Sequence, residues 1–153
     1  MATRYVRSMV VVLGALGAAI AAGPVVANDI AQIKVANGTV IVERGSQRLM
    51  AAAGTRLQQS DVVRTGINGS AGITFTDNTL MSIGPNSVIA LDRYSFNSTT
   101  HEGRLDTAMR NGTLSVVSGK IAKQSPEAMT VKTPATILGV RGTEFLVQVG
   151  ETK

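Results

Sequence analysis

The sequence predicts an all-β protein. It expects a single compact domain of many short strands, β-solenoid-like or a small double sheet, behind an N-terminal signal-peptide helix. Three observations carry that expectation. After residue 27 the chain runs in short stretches rich in Val, Ile, Thr, Leu and Phe. These stretches are separated by Asn-Gly, Asp-Asn and Gly-Pro-Asn groups, whose residues tolerate the backbone angles of tight turns. Helical periodicity is almost missing beyond the leader.

Residues 1–27 stand apart from the rest. Arg4 and Arg7 make a short basic start, and Met9–Ala22 follows as 14 apolar residues without a charge. Gly23-Pro24 stops that run, and Val25 and Ala27 place small residues before Asn28. This is the layout of a secretory signal peptide cleaved between Ala27 and Asn28. A membrane-spanning helix needs roughly 20 apolar residues, so an uncleaved anchor fits less well. The expected organisation is a leader over 1–27 and one β domain over 28–153. The domain would be periplasmic or secreted, touching a membrane only through the leader if that stays attached.

Strands are predicted in order over Ile33–Val35, Thr39–Glu43, Asp61–Thr65, Gly72–Phe75, Thr79–Ile83 and Ser87–Asp92. They continue over Arg93–Asn97, Arg104–Met109, Thr113–Val117, Thr130–Lys132, Ala135–Leu138 and Glu144–Val149. In the last of these, Phe145, Val147 and Val149 share one face and Leu146 and Gln148 the other. Leu138 is placed to cover that second face. The chain also echoes itself. Asn37–Gly45 (NGTVIVERG) lines up with Asn111–Gly119 (NGTLSVVSG), and Gly66–Ala71 (GINGSA) with Gly139–Glu144 (GVRGTE). The near-constant offset suggests two similar β units around a central segment. The plainer reading is that Asn-Gly-Thr and Gly-x-x-Gly recur wherever β chains turn.

Composition narrows the function classes. There is no cysteine among the 153 residues, which excludes disulfides, thiol chemistry and a lipid-modified Cys at the cleavage site. Without the two leader arginines, 13 basic residues face 10 acidic ones, a net +3. The cations are scattered singly, so no patch marks a nucleic-acid partner. No cofactor is expected.

Enzyme constellations lack their parts. The single histidine, His101, sits in the polar stretch NSTTHEG, and with Glu102 and Asp106 it falls short of a metal site in ligand number and spacing. Asp61, Asp77 and Asp92 lie 15–16 residues apart and read as residues that fix turns or strand ends. Gly139-Val140-Arg141-Gly142 is a weak phosphate signal, because the residues after it read as a strand where a phosphate loop needs a helix N-terminus.

The stretch Val131–Val147 (VKTPATILGVRGTEFLV) resembles the closing signature of the FecR domain, named for the ferric-citrate transport regulator. The matching positions are Thr133, Pro134, Val140, Arg141, Gly142, Thr143 and Phe145. Upstream, Gly54–Leu91 keeps the family's rhythm of Gly-x-x-Leu, Asp-x-x-x-Thr-Gly, Gly-Ser-Ala, Asp-x-Thr-Leu and Ile-Gly-x-Asn-Ser in order. The resemblance covers about Gly38 to Val149.

It implies an exported, non-catalytic β domain whose founding relatives are inner-membrane regulators acting on a sigma factor. This chain departs from those relatives in starting with a signal peptide where they carry a cytoplasmic region and a membrane helix. The expected role is therefore a protein-interaction or sensory module in envelope signalling or assembly, with another envelope protein as partner. Pro134, Gly139 and Gly142 read as makers of the corner. Arg141 and Glu144 face each other across the turn, either pairing or meeting a partner. Two further readings stand beside this one: a cell-wall or polysaccharide-binding module using Tyr94, and a hydrolase or lyase using Asp77, Asp92 or His101. The sequence sets no oligomeric state.

Overall fold

The computed structural model describes residues 28–150. The leader and the Ala27 side of the expected cleavage site lie outside the described residues, and Asn28 is exposed at their start. Twelve strands form: β1 Asp29–Asn37, β2 Val40–Arg44, β3 Gln47–Met50, β4 Arg56–Gln58, β5 Val62–Thr65 and β6 Ser70–Phe75. They continue with β7 Leu80–Ile83, β8 Val88–Phe96, β9 Gly103–Val117, β10 Met129–Lys132, β11 Ile137–Gly139 and β12 Glu144–Val149. One helix, α1 (Lys120–Gln124), and a 3-10 turn at Pro126–Ala128 interrupt them. No helix among the described residues is long and apolar enough to cross a membrane.

The expected all-β class is what forms, in its double-sheet version. One sheet runs β4-β1-β6-β7-β9-β12 and the other β3-β2-β5-β8-β9-β10-β11. The 15-residue β9 belongs to both. Its first part pairs with β8 and β10, its second with β7 and β12. The result is one curled sheet, antiparallel at every pairing except β10 with β9.

Alternation explains which side chains meet inside the curl. Ala71, Ile73 and Phe75 point in from β6, Met81 and Ile83 from β7, and Val40 and Val42 from β2. They join Leu91, Leu105 and Leu114 in a single core. Fully burying one such branched side chain stabilises the fold by about 1.5–3 kcal/mol.

The chain crosses between the two sheets at a stack of corners. Thr39 O accepts from Gly66 N–H at 2.9 Å, and Thr113 O accepts from Gly84 N–H at 2.9 Å. The two Asn-Gly-Thr segments thus do the same work, each carrying the chain from one sheet to the other with a left-handed glycine (Gly38 φ 62°, Gly112 φ 104°). The second half of the echo has no such counterpart. The Gly84–Ser87 corner, not Gly139–Glu144, receives the second Asn-Gly-Thr. Ser87 holds it there: its Oγ donates to Gly84 O at 2.8 Å and accepts from Thr113 N–H at 3.0 Å. A Cβ at Gly112 would fall inside Ser87.

Other departures from the sequence expectation have local causes. Ser87–Asp92 and Arg93–Asn97 merge into β8, whose register shifts between Leu91 and Arg93. β3 forms although all four of its residues are exposed, because its backbone pairs with β2 and Arg48 reaches Glu43 at 3.1 Å. α1 is a single turn and too short to show a period. Its start is fixed from outside, by Asp77 accepting Lys120 N–H on its carbonyl at 2.8 Å and Ile121 N–H on its carboxylate at 3.3 Å.

Candidate functional site: the closing turn and the last strand

The end of the chain makes two turns in quick succession. In the first, between β10 and β11, Thr133 N–H donates to Thr136 O at 2.8 Å and Thr136 N–H returns to Thr133 Oγ1 at 3.1 Å. Pro134 sits exposed inside this turn, where its missing N–H leaves no ladder bond unmade. The second turn follows Gly139. Val140 is buried, and its N–H donates to Met129 O at 3.0 Å. Ser118 clamps the far side: its Oγ donates to Gly142 O at 2.9 Å and its N–H to Thr143 O at 2.8 Å. Gly142 takes φ 127°, an angle other residues resist. The chain then enters β12 against β9, with Glu144 opposite Val117 and Val149 opposite Gly112.

This turn divides its own residues. Val140, the carbonyls of Gly142 and Thr143, and the half-buried Phe145 hold it to the core. Arg141 and Glu144 are exposed, and neither an ion pair nor a side-chain hydrogen bond joins them. Of the two readings held open for these residues, pairing across the turn does not form. Instead both side chains project outward on a backbone that Ser118 has fixed. The phosphate reading also meets its stated obstacle, since Glu144–Val149 is a strand.

Leu138 does not cover the outer face of β12. It packs against the core that holds Val147, and Leu146 is left 67% exposed. The reason is topological. β11 ends one sheet and β12 ends the other, so the two edges splay and a cleft opens between them. Two adjoining cavities of about 450 and 200 Å³ share Leu138 and Val147. Sequence reasoning found the inward face of β12 from its alternation but missed Ser118 and the cleft, for which no local pattern exists.

The residues considered for chemistry are dispersed. Asp77 is fully buried, accepting from Thr79 Oγ1 at 2.7 Å, Thr79 N–H at 3.2 Å and Ile121 N–H at 3.3 Å. Asp61 is likewise buried and receives Arg44 through two bonds of 2.9 and 2.7 Å. Both fix turns, as expected, while Asp92 is exposed. Asp106 is held by Arg104 at 2.7 Å and Thr130 at 2.6 Å. Burial alone would raise its carboxyl, but those two bonds and the Arg104 and Arg93 charges outweigh it and keep the group below its ordinary range.

His101 is exposed with φ 61° and stacks on Phe96 at 6.2 Å. No group of three metal-ligating side chains occurs among the described residues. Tyr94 is no open platform for a sugar. Its ring packs on Phe75 at 5.4 Å and its hydroxyl meets Thr76 at 2.7 Å and Asp77 N–H at 3.0 Å. Burial pushes its phenol up to about 12.

The curled double sheet and the clamped Val-Arg-Gly-Thr turn define a small β domain with an outward-facing signature. A family model described as FecR protein matches residues 61–153. The chain belongs to the FecR family. No curated protein and no solved structure matches it.

Proposed function

We propose that this chain is a non-catalytic FecR-type module that binds another protein of the bacterial envelope, in signalling or assembly, from a periplasmic or secreted position. The location rests on the leader: a basic start, 14 apolar residues and a small-residue break at Ala27. One observation carries the binding role. The family's closing turn is anchored from within by Val140 and by Ser118, yet presents Arg141 and Glu144 to solvent with no ion-pair or side-chain hydrogen-bond partner among the described residues. A charged pair on a rigid turn is preorganised for contact, which lowers the entropy lost on binding.

Capture of envelope proteins by wild-type chain and by Arg141→Ala tests this reading. An exposed side chain with no ion pair or side-chain hydrogen bond among the described residues changes stability by no more than about 0.5 kcal/mol, so the variant should melt like the wild type and lose a specific partner. A clear drop in melting temperature would show that Arg141 holds the corner. Identical capture by both chains would remove Arg141 from the interface.

A further inference from the structure

Sheet edges offer unpaired backbone N–H and C=O groups, and proteins guard them with charges, proline or short length. Among the described residues four strands have a neighbour on one side only. β3 has four residues and carries Arg48, paired with Glu43. β4 has three and carries Arg56, paired with Asp29 at 2.9 Å. β11 also has three. β12 has six, with no proline and no charge after Glu144 at its first position. It is the least guarded edge among the described residues.

That edge borders the cleft. Phe145 and Val147 face it from β12, and Leu138 faces it from β11. Exposed apolar side chains stand on both rims, Ile137 at 64% and Leu146 at 67%. Two exposed cations flank it: Arg141 lines the smaller cavity, and Lys132 precedes the turn that lines the larger one. Neither is ion-paired among the described residues.

We infer that β12 accepts an added β-strand from a partner protein, one that alternates apolar residues and carries an acidic residue at its flank. This rests on the proposed binding role and names the surface and the partner's chemistry. The backbone edge selects a strand, since a helix laid there would bury β12's N–H and C=O groups without partners. Alternate side chains of the added strand would enter the cleft against Leu138 and Val147. Six residues give a ladder of about 20 Å. A second copy of this chain would bring its own exposed Glu144 as well as Lys132 and Arg141 to the edge, so sedimentation of the free chain decides between self-pairing and a partner's strand.

Amide hydrogen exchange on the full chain tests the inference, with a capped nine-residue peptide of alternating valine and threonine bearing an aspartate at each end. Protection of the Glu144–Val149 amides should rise by about tenfold or more on peptide addition. The same peptide N-methylated at alternate amides should give none. Leu146→Glu, on the exposed outer face, should keep the melting temperature and abolish the protection. Absent protection at β12, or protection at β3 or β4 instead, overturns the inference. So does a free chain that sediments as a dimer with β12 already protected. If Arg141-dependent capture survives Leu146→Glu, strand addition fails while the proposed function stands. Peptide protection at β12 without any Arg141-dependent partner keeps the strand site and removes the envelope assignment.

Discussion

Replacing Asp77 separates a structural role from a catalytic one. Its carboxylate has no exposure and satisfies Thr79 N–H, Thr79 Oγ1–H and Ile121 N–H, joining the β6–β7 turn to the start of α1. Asp77→Asn keeps one acceptor oxygen and the volume. The Thr79 hydroxyl can rotate, but Ile121 N–H is left facing an amide donor. One buried donor without a partner costs about 1–3 kcal/mol. Asp77→Ala strands both backbone donors and opens a gap, for about 3–5 kcal/mol in all.

In a domain of this size 1 kcal/mol corresponds to about 4 °C in melting temperature. The asparagine variant should therefore melt about 4–12 °C low and the alanine variant about 12–20 °C low. Thermal unfolding followed by far-UV circular dichroism reads both. The order Ala below Asn below wild type is the signature of a hydrogen-bond hub. Two variants with wild-type melting temperatures would refute the reasoning and return Asp77 to the pool of functional carboxylates.

Gly112→Ala should destabilise by about 2 kcal/mol or more, because φ is positive and the added methyl meets Ser87; urea unfolding measures it, and an unchanged midpoint would refute the corner's tight fit. Asp106 has a lowered folded pKa, so its stabilisation is complete above the unfolded aspartate value of about 3.9 and fades as pH falls through the lower folded value. The stability gap between wild type and Asp106→Asn should be flat from neutral pH to about pH 5 and close at more acid pH. Tyr94 should ionise near 12, above the ordinary phenol value of about 10, as read by tyrosinate absorbance. With the folded value raised, its contribution is intact below about pH 10 and is lost as pH climbs through the folded value.

The strands were legible where one face is buried. Ala71, Ile73 and Phe75 alternate with half-buried neighbours, and such a period-two pattern is written in consecutive residues. β3 and β4 were not legible. β3 buries nothing, and β4 only Leu57, so their extended shape comes from hydrogen bonds to β2 and β1. At the site, the signature residues were visible as a string, but their division was not. Val140 and Arg141 are neighbours in sequence, and only the position of Met129 and Ser118 turns one inward and leaves the other free.

The sequence by itself determined the all-β class, the turns, the inward face of the last strand and the family. Each is a property of residues within a few positions of one another, or of short motifs kept in order. The tertiary structure decided which edges stay open, where the cleft lies, and that Asp77 and Ser118 are clamps. β12 is an edge because among the described residues it pairs with β9 alone, and no residue of Glu144–Val149 records that. Pairing is a non-local hydrogen-bonding choice, fixed only once the whole chain has curled around its core.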